Sequence, residues 1–224
     1  MKKLYYNSGY FFLILFAFVL TGFYKTYFGL FPVFDKSTTW LVHIHAALLV
    51  SWVILLIVQP LLIRYKKTKL HKQIGKLTYV LVPFIVCSMI GMILKILTEI
   101  PDNPSLFLIF ANIKFALFDC ILFVTFYSLA VIRRKNFQQH GAFMIATGLV
   151  FINPSLSRLL FFLVHLSFPV AEIIAVLFID LTLLFLLLYF RQKNLSTKPY
   201  GFVLLAFLFC HAITTSLIIW GPPV

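Results

Sequence analysis

Acidic residues are scarce in this chain. It carries six Asp and Glu in 224 residues against 19 Lys and Arg, and charged residues of both signs make up only 11%. A soluble domain is about a quarter charged, so there is too little polar surface here to coat a globule. The high apolar content excludes a disordered chain as well. Cysteines are few and scattered. Cys87, Cys120 and Cys210 form no CxxC pair and no disulfide framework, and all three are expected near mid-membrane as small packing residues. The short alternating segments of a porin-type barrel are missing, and so are a phosphate loop and a nucleotide-binding glycine motif. No A-x-A-like cleavage site follows the Met1, Lys2, Lys3 start, and Thr21 to Tyr27 continues aromatic. The first apolar run is therefore expected to remain as an uncleaved helix.

What is present is apolar: 62% hydrophobic residues, 27 of them Phe, and a mean hydropathy of +1.03. Seven runs of about 20 apolar residues match a hydrocarbon core of about 30 Å. They predict helices over 9–30, 40–63, 74–98, 106–132, 141–165, 168–190 and 199–220. The expectation is an all-α, polytopic membrane protein with a single seven-helix domain over 1–224 and the lipid bilayer as its first partner.

The net charge of +13 resembles a nucleic-acid signal until the charges are placed. Lys2 and Lys3 precede the first run. Arg64, Lys66, Lys67, Lys69, Lys72 and Lys76 gather between the second and third. Arg133, Arg134 and Lys135 follow the fourth, and Arg191, Lys193 and Lys198 lie between the sixth and seventh. These 14 of the 19 basic residues fall on one side of a seven-helix threading. The loop over 99–105 on the other side holds Glu99 and Asp102 and no Lys or Arg. The positive-inside rule predicts a cytoplasmic N-terminus and an external C-terminus, in a bacterial inner membrane, with Trp40 and Trp220 at the external interface. Dispersed in short loops, the Lys and Arg face anionic lipid headgroups, and a nucleic-acid partner is excluded.

Three of the six acids, Asp119, Glu172 and Asp180, fall inside predicted helices. An ionisable group at mid-bilayer costs at least about 2.5–3.5 kcal/mol and usually faces the bundle interior, has a partner and marks function. The intramembrane bases are Lys95, Lys114 and Arg158, and Lys95 with Glu99 reads as an i,i+4 pair at a helix end. At a rise of 1.5 Å per residue, Glu172, Arg158 and Lys114 lie about 6, 10 and 12 Å below the external face. Asp119, Asp180 and Asn153 lie deeper. This predicts a polar site of Lys114, Asp119, Asn153, Arg158, Glu172 and Asp180 in the external half of the bundle. On the fifth run, His140, Thr147, Pro154, Arg158 and His165 share one stripe, and Asn153-Pro154 is expected to break the helix at mid-membrane and free carbonyls for a ligand.

Histidine supplies the candidate metal or haem ligands: His43, His45, His211, His71 and His140. Neutral imidazole suits Zn, Cu, Fe or haem iron. His43 and His45, at i and i+2, point about 200° apart on a helix and serve one site only if the helix end is irregular. His211 is deep enough to need a partner, whereas His165 is expected to be solvated. His71 and His140 stand at predicted helix entrances on the basic side, each seven residues after an Arg (Arg64 and Arg133). That spacing suggests two related hairpins, with interfacial or capping roles for the two histidines.

The segments HIHAAL over 43–48, QPLLIR over 59–64, LHKQIG over 70–75 and QHGAFM over 139–144, followed by Arg158, resemble a family of predicted bacterial multi-pass membrane proteins of unknown function. The resemblance covers residues 40–160 and implies membership without an activity. The layout is also loosely similar to cytochrome b561-like and ferric-reductase-like bundles, and that likeness implies haem b between His pairs. Three functions are thus expected in order. The first is a redox protein holding haem b or a transition metal. The second is a small-solute or proton-coupled transporter using Asp119, Asp180 and Arg158. The third is a membrane zinc hydrolase, for which the seventh run offers only His211. A small-molecule ligand or another membrane protein is the remaining partner class.

Overall fold

In lipid every backbone N–H and C=O must find a partner within the chain, and a helix satisfies them locally. The computed structural model describes residues 2–34, 38–100 and 104–220. Asp102 and the side chains of Lys2, Lys3 and Trp220 lie outside the described residues. The helices are α1 (Lys2–Gly22), α2 (Trp40–Arg64), α3 (Thr68–Thr98), α4 (Leu106–Ile132), α5 (Phe137–Leu149), α6 (Ile152–Leu163), α7 (Phe168–Gln192) and α8 (Lys198–Trp220). A single 3₁₀ turn covers Phe28–Leu30, and no strand occurs among the described residues. Seven segments are long and apolar enough to cross a membrane, α5 and α6 together forming the fifth.

Three elements differ most from the sequence expectation, each for a physical reason. α1 begins at Lys2 rather than residue 9 and ends at Gly22 rather than 30. Its polar-looking start is interior, because the Tyr5 hydroxyl donates to the Gln138 carbonyl (3.2 Å) and accepts from the Tyr200 hydroxyl (3.3 Å). α3 begins at Thr68 rather than 74. Lys and Gln are good helix formers, so the charged stretch taken as a loop is a helical turn and His71 stands within it.

The third difference is the break in the fifth span. Asn153 and Pro154 are helical, and the ladder fails instead at Val150–Phe151. Pro154 has no N–H to offer the Val150 carbonyl four residues earlier, and its ring clashes there. In the first turn of α6 the missing N–H costs nothing. Phe151 N–H closes a tighter bond to Gly148 O (3.1 Å). The expected stripe from His140 to His165 is therefore interrupted, and His165 lies beyond α6, exposed, at φ 60°.

The fifth span is the axis of the molecule. In its apolar window 61% of residues are buried, against 17–33% in the other six spans, so polar groups on α5 and α6 face protein rather than lipid. α1, α2, α4 and α8 pack on α5, while α1 and α7 pack on α6. Small residues admit the close approach, as they do between membrane helices generally. At Gly148 an added Cβ would stand 2.5 Å from the Phe12 ring. Core aromatics fill the rest, among them Trp52, Phe123 and Phe126, each 0–1% exposed. The basic turns after α2, α4 and α7 and the start of α1 meet at one end. There Arg64 donates to Asn7 and Gln138 to the Ser196 carbonyl (2.7 Å).

Candidate functional site

The intramembrane charges come from α4, α6 and α7 and gather beside the break. Lys114 is only 5% exposed. Its ammonium donates to the Ala111 carbonyl of its own helix and lies 4.8 Å over the Phe115 ring. Asn153 and Ser157 share one face of α6, and the Glu172 carboxyl of α7 stands beside both, with Arg158 and Lys114 in electrostatic reach. Asp119 of α4 faces the same group, near Glu172 and Arg158. Arg158 does not run out to headgroups. It donates to the Pro154 carbonyl (2.9 Å) and stacks 4.7 Å over Phe23 of the segment after α1.

Two cations and two carboxylates thus share one buried volume. Yet the ion pairs among the described residues are Lys95–Glu99, exposed as expected, and Asp180–His211; none joins two members of the quartet. The enclosed atoms Glu172 Oε2, Asn153 Oδ1 and Ser155 Oγ have no hydrogen-bond partner among the described residues. Each unpartnered buried polar atom costs about 1–3 kcal/mol, and such atoms mark a place where a proton, a water or a ligand polar group belongs.

Asp180 and His211 form a separate pair between α7 and α8. Asp180 Oδ1 lies 2.9 Å from His211 Nδ1, so the imidazole carries its proton on Nδ1 and is free at Nε2. Phe207 packs on the ring. The neighbouring Cys210 thiol is close to Asp119, which sets this pair against the flank of the quartet. The three cysteines are free, Cys210 buried and Cys87 exposed.

The remaining histidines do not join this site. α2 is regular from Trp40, so His43 and His45 diverge. His43 Nδ1 meets the Tyr27 hydroxyl (2.9 Å) inside a box of Phe34 and Trp40. Burial pushes the Tyr27 phenol above its ordinary value, which keeps it protonated beside the imidazole. His45 Nδ1 bonds Ser88 Oγ (3.0 Å). The Ser88 proton is spent on the Ile85 carbonyl (2.7 Å), so His45 donates. No three of His, Cys, Asp and Glu come together as a metal-ligating group among the described residues.

The two histidines expected at helix entrances stand in the first turns of α3 and α5 and also share a cavity. A space of about 780 Å³ opens at the basic end between α1, α2, α3, α4 and α5, lined by both His71 and His140. His140 Nδ1 donates to the Ala130 carbonyl (2.9 Å), leaving Nε2 unprotonated in the neutral ring. Gln59, with its amide nitrogen toward His71, donates to His71 Nδ1 and to its carbonyl (3.2 Å), and accepts from Gly75 N–H (3.1 Å). His71 thus carries its proton on Nε2. The sequence signal for this cavity was the Arg-to-His spacing repeated at Arg64/His71 and Arg133/His140, which places the two rings at equivalent points of neighbouring hairpins.

No family model matches the chain, and neither a curated protein nor a solved structure is significantly similar to it.

Proposed function

We propose that this is a multi-pass protein of a bacterial cytoplasmic membrane that couples movement of a small solute to protons. Its N-terminus and basic turns face the cytoplasm, and its C-terminus lies outside. The charge asymmetry supports the orientation. The observation that carries the transport reading is the quartet of Lys114, Asp119, Arg158 and Glu172 beside the broken central span, Lys114 and Glu172 buried and Asp119 and Arg158 half-buried, without an ion pair among the described residues, and with Glu172 Oε2 and Asn153 Oδ1 unpartnered. Broken helices at midplane are where coupled transporters place substrate and coupling ions. In this reading Asp119 and Glu172 accept and release the proton, Arg158 and Lys114 hold an anionic solute group, and Asp180, oriented by His211, receives the proton on the α8 side. The test is solute-driven proton movement in proteoliposomes containing an entrapped pH dye, challenged with a panel of small carboxylates and phosphates. At least one solute is expected to move protons in the wild type, with at least ten-fold less in Asp119→Asn. A panel that is silent with folded, reconstituted protein sinks the reading.

A redox role with haem b is the second reading, favoured by one observation: His71 and His140 line a single cavity ringed by cations suited to propionates. The donor set fits halfway. His140 offers a free Nε2 to iron, while Gln59 holds His71 in the opposite tautomer. This reading predicts a Soret band in detergent-purified protein that is lost in His140→Ala; a colourless preparation that stays folded rejects it. The zinc-hydrolase reading needs three ligands on one centre and has no supporting group among the described residues. The family resemblance over residues 40–160 remains part of the proposal and adds no chemistry to it.

A further inference from the structure

The basic-end cavity contains none of the quartet and has a chemistry of its own. Its volume of about 780 Å³ is in the range of small-molecule sites. On its rim, Lys72 and Lys76 stand one turn apart on α3, and Arg134 and Lys135 follow one another at the end of α4. No Asp or Glu occurs among the described lining. Neutral donors stand beside the cations. Tyr79 Oη accepts from Arg134 (2.6 Å) and has its own O–H to give, and His71 keeps Nε2–H as its free donor. The floor is apolar, built by Phe12, Leu56, Met144 and Ile145. Leu56 and Met144 lie about 10–12 Å inward from Arg64 and Phe137 at 1.5 Å per residue.

We propose that this cavity binds an amphiphile with a phosphate head, the head on the four cations and the apolar body over the floor. A phosphate monoester carries about −1.5 to −2 charges and three strong acceptor oxygens. That suits a rim with many donors and no competing carboxylate. Arg grips such a group as a fork and Lys as a point charge. Basic loops at a membrane surface attract anionic lipid weakly and without shape; here the cations border a half-open space between helices, which adds selection for the body as well as the head. The source is either a lipid of the adjoining leaflet or a soluble phosphorylated compound. Both share this chemistry.

Gly75 supplies the cleanest probe. It lines the cavity, and a Cβ added there meets nothing nearer than the Gln59 side-chain amide at 4.0 Å, so a larger side chain can start into the space without a backbone clash. The experiment titrates the full chain, in neutral detergent at physiological salt, with dioctanoyl phosphatidic acid, dioctanoyl phosphatidylcholine and inorganic phosphate, and reads binding by native mass spectrometry. Phosphatidic acid is expected to bind at least ten-fold tighter than phosphatidylcholine. Gly75→Leu and the pair Lys72→Gln/Lys76→Gln should each weaken it at least ten-fold while helix content stays unchanged. Equal binding of the two lipids, or undiminished binding to the Lys72→Gln/Lys76→Gln protein, overturns the proposal. So does inorganic phosphate binding as tightly as the lipid, which would mean that the apolar floor selects no body, and so does stoichiometric haem in the purified protein. The transport reading stands or falls separately, because Asp119 and Glu172 lie outside this cavity.

Discussion

Gly22→Ala is expected to destabilise the protein by about 3 kcal/mol, and Gly22→Leu by more. Gly22 ends α1 directly against the backbone of α6. A Cβ there would stand 2.1 Å from the Ser155 carbonyl oxygen and 2.8–2.9 Å from Ser155 C and Cα. All three are main-chain atoms that no rotamer change can move, so α1 must shift away from the central span. Such glycine contacts let membrane helices approach closely enough for Cα–H···O bonds. Gly75→Ala and Gly201→Ala are the controls. Their added Cβ atoms meet neighbours at 4.0 and 3.8 Å, and alanine is about 1 kcal/mol better than glycine inside a helix. Unfolding in mixed micelles checks the set. A Gly22→Ala protein within about 0.5 kcal/mol of wild type would mean that α1 and α6 are not in this contact.

Arg158→Met is expected to cost about 1–3 kcal/mol, less than breaking a direct buried pair, because no ion pair among the described residues joins Arg158 to a carboxylate. The loss has two parts. Asp119 and Glu172 are left with Lys114 as the one cation of the group, and the stacking over Phe23 disappears. Most of the electrostatic part should return when Glu172→Gln is added, because the double variant again holds one charge of each sign. The cycle separates a charge unit from plain packing. If Arg158→Met is neutral, or if Glu172→Gln adds a second, independent loss, the four residues do not act as one group.

The spans and the one-sided charge were legible in the sequence because both are properties of composition along the chain. Apolar length sets a crossing helix, and lysines and arginines collect in the turns at one end. The boundaries of α1 and α3 were not legible, because Tyr5 and Ser8 look polar one by one and their burial depends on Gln138 and Tyr200, far away in the chain. The break in the fifth span was foreseen but placed at Asn153-Pro154. Proline acts on the carbonyl four residues behind it, so the ladder fails at Val150–Phe151. At the candidate site, depth put Lys114, Asp119, Arg158 and Glu172 in one half of the bundle, and they stand within electrostatic reach of one another. Depth alone said nothing of rotation. His43 and His45 therefore went to Tyr27 and Ser88, and His211 to Asp180, rather than to a common centre. The repeated Arg-to-His spacing pointed to His71 and His140, but the cavity between them was not legible, because the stretch from Arg64 to Lys72 was read as loop although α3 begins at Thr68.

The central claim, that the quartet beside the break couples a solute to protons, is tested most directly by comparing two modes of movement in Asp119→Asn proteoliposomes. Exchange of labelled solute across vesicles without a pH gradient needs the binding groups Arg158 and Lys114 but no net proton transfer. Accumulation driven by a pH gradient needs both. The account predicts that Asp119→Asn keeps exchange within a few-fold of wild type and loses gradient-driven accumulation. An Asp119→Asn protein that accumulates solute as the wild type does, or a wild type in which accumulation ignores the pH gradient, would contradict it.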